Sequence, residues 1–202
     1  MPLPRPRLFR HAPRHWFARV LAALFVAVAL WPGFPAPLGS AEPRVYPEYQ
    51  VKAMMLLNFA RFIEWPEDAF TNAAAPFVVG VPGRDPFGAD LDRVFANKQV
   101  QKRPVVIRRM TTEREWRECH LLFLPPSERK RQREILENLK SLPVLAVGET
   151  DDFMDMGGGI QFILRQDSTV QFAVNLDAAK PARLKFSASL LKLADKVRGR
   201  YD

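Results

Sequence analysis

The stretch "VLAVGETDDFMDMGGGIQFILRQDSTVQFAV", Val144 to Val174, holds two kinds of strand side by side. Val144 to Val147 is a continuous apolar run, the pattern of a strand buried on both faces of a parallel sheet. After Gly159 the pattern changes. Ile160, Phe162 and Leu164 alternate with other residues, "RQDS" supplies a turn, and Val170, Phe172 and Val174 alternate again. That spacing predicts an antiparallel hairpin. The sheet is therefore expected to be mixed.

Upstream, further short apolar runs alternate with amphipathic segments. "FVVGV" (77–81), "VVI" (105–107) and "LLFL" (121–124) read as strands. "DPFGADLDRVFANK" and "SERKRQREILENLK" read as helices, and the charged link from Ile107 to Cys119 leaves room for a short helical turn. The expected fold is α/β. Its mixed, mainly parallel sheet is covered by helices on both faces and finished by the C-terminal hairpin. Phe186, Leu190, Leu193, Ala194 and Val197 fall at helical spacing and predict a closing helix.

Residues 46–65, "YPEYQVKAMMLLNFARFIEW", read as one helix starting near Pro47 and stopped before Pro66. Its only polar stripe is Gln50, Met54, Leu57, Arg61 and Glu64, interrupted by two apolar side chains. Either that stripe lies under another element, or it is an exposed contact surface.

The first 41 residues are expected to be a secretory signal peptide. Five arginines precede the 11-residue apolar run Val20–Leu30, and Gly39 and Ala41 put small residues before a cleavage point. A single domain over 42–202 remains. The whole chain is +8, but without those arginines the surplus is only +3, which makes no electrostatic case for nucleic acid. The run "RKRQR" (129–133) reads as a solvated helix face, with an anionic partner as the alternative.

Few residues are available for covalent chemistry. Cys119 is the only cysteine, and His120 the only histidine beyond residue 41. Neighbours on a strand point to opposite faces, so the two make a poor nucleophile–base pair. No Cys/His metal cluster is available, no cofactor is implied, and Cys119 is expected to be a buried structural thiol. Gly157–Gly159 precede a strand rather than open a helix. They are read as positive-φ or bulge positions, not as a phosphate loop.

Loops at strand ends are the remaining candidates. In "VPGRDPFG", Asp85 and Pro86 resemble an N-cap and first-turn pair, with a ligand site at Asp85 and Gly88 as the alternative. In "GETDDFMD", Glu149 and the following aspartates read as a polar loop and helix cap, with a cation or ligand site as the alternative.

Taken together, these segments resemble the YfiR family of periplasmic regulators. The resemblance runs from about Tyr46 to Val197. Its most distinctive part is "VKAMMLLNFARFIEWP", through Val51, Lys52, Ala53, Asn58, Phe59, Ala60, Phe62, Trp65 and Pro66. "DPFG", "RPV", "CHLLFL", "PVLAVG", "GGGIQF", "NLDAA" and "LKFSASLLKLA" follow in order. The resemblance implies a non-enzymatic inhibitor that restrains a membrane diguanylate cyclase of YfiN type. An outer-membrane lipoprotein of YfiB type would relieve it, placing cyclic di-GMP and surface attachment under envelope control. Well-known members carry disulfides. With Cys119 alone, disulfide-dependent control does not carry over. The first helix is the expected partner or homodimer surface, through Met54, Leu57, Asn58, Arg61, Glu64 and Trp65. The rival classes are a small-ligand sensor at Asp85, Gly88 and Glu149, and a hydrolase using the same acids.

Overall fold

The computed structural model describes residues 47–110 and 112–200. The expected signal peptide lies outside them. No helix among the described residues is long and apolar enough to cross a membrane.

The central strands form where the sequence is continuously apolar. β2 (Phe77–Pro82), β5 (Leu121–Leu124) and β6 (Leu145–Gly148) are buried at every residue. β4 (Arg103–Met110) lies beside β2, and β7 (Ile160–Leu164) and β8 (Val170–Asn175) form the antiparallel hairpin. With β3 (Gln99–Val100) and β10 (Lys196–Arg198) at its edges, the eight-stranded sheet has the order β10-β8-β7-β6-β5-β2-β4-β3, in which only β7·β8 and β4·β3 are antiparallel.

Alternate residues of the central strands enter two separate cores. Phe77, Val79, Leu121, Phe123, Leu145 and Val147 pack with α1 (Glu48–Phe62), α2 (Ala89–Phe95), α5 (Leu176–Ala179) and α6 (Ala188–Leu193). Val78, Leu122, Leu124 and Ala146 face the other way. They meet Trp116 of α3 (Glu113–Trp116), Ile135, Leu136 and Leu139 of α4 (Gln132–Leu139), and Phe153. Two-sided cover is thus a property of the centre. On the hairpin, Phe162 and Phe172 are buried, whereas Gln161, Ile163 and Gln171 keep partial exposure on the opposite face.

Several elements differ from expectation. α1 stops at Phe62, because Ile63 turns extended and Ile63–Glu64 (β1) pair with Lys185–Phe186 (β9) in a two-stranded sheet. That break delivers Trp65 into the core, edge-on to Phe77 with ring centroids 4.8 Å apart. The closing helix is short. Ser187 Oγ caps it by accepting from Leu190 N–H at 3.2 Å, and Ala194 ends it in an extended conformation. Val197 does not continue the helix. Lys196–Arg198 (β10) instead add to the unpaired edge of β8, where they satisfy main-chain groups that a helix would have left open.

The basic run lies mostly ahead of a helix rather than inside one. A 3₁₀ turn at Pro126–Glu128 comes first, Arg131 is the N-cap of α4, and Gln132 is fully buried. Asp85 and Pro86 do not start α2 either. Gly88, at φ 54°, is its N-cap. β3 (Gln99–Val100) was not foreseen. It joins β4 through Gln101 and Lys102, both at positive φ, without the Asn-Gly signal that usually marks such a turn.

Only Gly157 of the glycine triplet has positive φ. Gly158 leaves room for the Phe153 ring, which a Cβ there would strike. The expected positive φ holds for Gly157 alone, and Gly158 serves packing against Phe153, a role that only the folded chain reveals.

Candidate functional site

Tyr49 and Lys52 of α1 reach the carboxyl end of β6. Lys52 is one polar residue in an apolar helix, and its side chain is almost wholly buried. Its Nζ bonds Glu48 Oε1, one turn earlier, and Glu149 Oε2, just after β6. Tyr49 Oη donates to Glu149 Oε1 at 3.1 Å. The ammonium also lies 4.7 Å from the Tyr49 ring centre and 5.8 Å from that of Phe162. Burial, reinforced by the Glu149 carboxylate, holds the Tyr49 phenol well above its ordinary range. Glu149, expected in an open polar loop, is the counter-ion that seats α1 on the sheet.

A second charged cluster lies past β2. Asp85 Oδ1 accepts from Phe87 N–H at 2.7 Å, closing a turn, and Asp85 Oδ2 accepts from Arg109 Nε at 2.7 Å. Arg109 Nη2 also donates to Asp92 Oδ2 (2.6 Å) and Gly88 O (3.0 Å). The Arg109 hydrogen bond holds the Asp92 carboxyl below the usual range. Tyr49 packs edge-on against Phe87, joining the two regions through α1. Asp85 and Gly88 thus share the β2–α2 loop, and Glu149 sits after β6, two strands away. Their charges are already met by Arg109 and Lys52.

The residues expected at a partner surface divide. Asn58, Arg61 and Glu64 are exposed and Met54 is half-buried, whereas Leu57 and Trp65 lie in the core. Trp65 Nε1 donates to His120 O at 3.1 Å, which fixes the end of α1 from beneath. Phe62, absent from the expected set, is 43% exposed beside Asn58 and Arg61. Phe62 lies one helical turn after Asn58 and so shares its exposed face, a position that a polar stripe drawn through Leu57 and Glu64 passes over.

Cys119 and His120 are both buried, and each has its own surroundings. Cys119 packs with Met110, Leu122 and Trp116, and burial pushes its thiol up to about 12. His120 Nδ1 accepts from Val78 N–H at 3.0 Å, so Nε2 is the protonated nitrogen and donates to Ala69 O at 3.1 Å. The imidazole is stacked between Phe70 and Phe77, and burial depresses its pKa to about 4. A neutral ring fixed at both nitrogens organises the 67–76 loop. It has no free nitrogen to act as a base.

Comparison with known proteins adds three findings. A family model described as YfiR/HmsC-like matches residues 49–195. No curated protein matches the chain. Among solved structures, the crystal structure of the ABC domain in complex with L-Trp from Streptococcus pneumonia aligns with a TM-score of 0.47 at 11% identity, over 72% of this chain and 60% of that one.

Proposed function

The chain belongs to the YfiR/HmsC-like family, and from that premise we propose that it is a non-enzymatic periplasmic regulator. It restrains a membrane-bound diguanylate cyclase of YfiN type by direct contact, and a YfiB-type lipoprotein competes for it. Residues 1–41 are removed on export in this reading, and 42–202 form the regulator. The observation that carries it is the family match, which spans nearly all of the described chain.

The contact surface is the outward face at the end of α1: Met54, Asn58, Arg61 and Glu64, joined by Phe62. Leu57 and Trp65 support that face from the core. Exposed Phe62 beside Arg61 is the kind of pair that anchors an interface, an aromatic ring next to a guanidinium. Burying one large apolar side chain contributes roughly 1.5–3 kcal/mol, which corresponds to about tenfold or more in affinity. Sensing of a small ligand at Asp85, Gly88 and Glu149 is less favoured, because those carboxylates already hold cations of the same chain.

Arg61→Glu with Phe62→Glu changes only exposed positions and should leave the circular dichroism spectrum intact. The double variant is expected to lose capture of a cyclase from detergent-solubilised inner membranes and to raise cyclic di-GMP in the host. A folded variant that captures and represses like the parent removes this face from the mechanism.

A further inference from the structure

Exposed apolar side chains gather at one corner of the sheet. Among the described residues five large hydrophobics are exposed, and three of them are Leu193 (71%), Leu164 (53%) and Val197 (39%). β10 is the edge strand beside β8, and Val197 lies level with Val174. Asp195 N–H donates to Phe172 O at 2.9 Å, which carries the chain from α6 onto that edge. Arg165, the residue after Leu164, donates to Asp195 Oδ1 at 2.5 Å, so the end of β7 and the end of α6 meet there. Single exposed apolar residues are ordinary, but a group of them marks a contact surface.

Positive charge collects in the same segment. Residues 180–200 hold seven lysines and arginines against one acid, Asp195, whereas residues 42–179 hold 18 bases against 20 acids. Asp195 is already met by Arg165, and Arg183 and Arg198 are met by Asp68 and Asp155. Lys192, just before Leu193, and Lys196, just before Val197, are exposed and pair with no acid among the described residues.

The residue types select between a protein and a lipid occupant. Protein interfaces favour aromatic rings and arginine and are poor in lysine, which describes Phe62 and Arg61 on the α1 face. Lipid interfaces take apolar side chains into the headgroup boundary, while lysine stems lie along it and keep their ammonium groups in the polar layer. At this corner the unpaired cations are lysines and the exposed apolar groups are aliphatic.

We propose that the corner docks on an anionic lipid surface, with Leu164, Leu193 and Val197 at the headgroup boundary and Lys192 and Lys196 on lipid phosphates. It is separate from the α1 face and needs no cyclase, so the two surfaces stand or fall independently.

The test is co-sedimentation of the full chain, as its host processes it, with unilamellar vesicles. Vesicles of phosphatidylcholine mixed with phosphatidylglycerol should bind it at least about tenfold more tightly than phosphatidylcholine alone, because each lysine near an anionic surface adds to the attraction. Raising the salt should narrow that gap. Lys192→Glu with Lys196→Glu should remove the preference. Lys98→Glu with Lys130→Glu makes the same charge change at exposed positions away from the corner and should keep most of it. Leu193→Ser, at the most exposed of the apolar positions, should leave the circular dichroism spectrum unchanged and weaken binding about tenfold. The comparison of the two vesicle types on the parent chain needs no variant to fold. Equal binding to both vesicles, binding to neither, parental preference in the Lys192 and Lys196 variant, equal loss in the Lys98 and Lys130 variant, or undiminished binding by Leu193→Ser would each overturn the proposal. Loss of cyclase capture in the Lys192 and Lys196 variant with lipid binding unchanged would assign the corner to a protein partner instead.

Discussion

Lys52 and Arg109 each sit between two carboxylates near the same end of the sheet, yet their surroundings differ. The Lys52 side chain is 3% exposed and its partner Glu149 9%, whereas Arg109 is 41% exposed and its partner Asp92 55%. Around Arg109, water already screens the charges, and such pairs are typically worth about 0–1 kcal/mol. The Lys52 ammonium and the Glu149 carboxylate are shielded from solvent, so removing the lysine strands Glu149 with little solvation, although Glu48 reaches water. The same chemistry therefore trims a loop in one place and locks a helix in the other. The locked helix is the one that presents the proposed partner face.

The largest expected effect comes from breaking the lock. Lys52→Met leaves Glu149 buried with only the Tyr49 hydroxyl and should cost about 3–5 kcal/mol in urea unfolding at neutral pH. Adding Glu149→Gln removes the stranded charge and should recover much of that loss. If the double variant is no more stable than the single one, the lost interaction is packing of the lysine stem rather than charge.

His120 sharpens the comparison as a buried titratable group with no counter-charge. It stays neutral instead of being paired, with its folded pKa at about 4 against 6.5 in a free chain. The unfolded chain takes up the proton first, so stability should fall as pH drops from 6.5 towards 4. The full difference is about 3 kcal/mol. His120→Asn keeps an acceptor for Val78 N–H and should flatten this part of the pH–stability curve. An unchanged slope would assign it to the carboxylates.

The smallest effect is expected at the exposed cluster. Arg109→Gln should change stability by less than about 1 kcal/mol, and by less still at high salt. A salt-insensitive loss of several kcal/mol would place Arg109 in the same class as Lys52 and dissolve the distinction.

The central strands and the β7–β8 hairpin were legible in the sequence because each is long enough to display a period. The apolar runs at 77–81, 121–124 and 144–147 and the alternation at 160–174 need only a local pattern. β1, β3, β9 and β10 are two or three residues long, too short to show any period. Each forms because a neighbouring edge offers unpaired main-chain groups, and that is a tertiary fact. The end of α1 follows the same rule: helical spacing continues through Glu64, but pairing of Ile63–Glu64 with β9 stops the helix at Phe62.

For the candidate sites, the residue types were visible and their partners were not. The acids after β2 and β6 could be named from strand-end position alone. Whether they were free for a ligand depended on Arg109 and Lys52, which come from a different strand and from a helix 97 residues away. The sequence by itself determined the central strands, the hairpin and the main helical segments, because side-chain period is a local property. The folded chain decided which charges are buried, matched or left waiting, because solvation depends on everything packed around them.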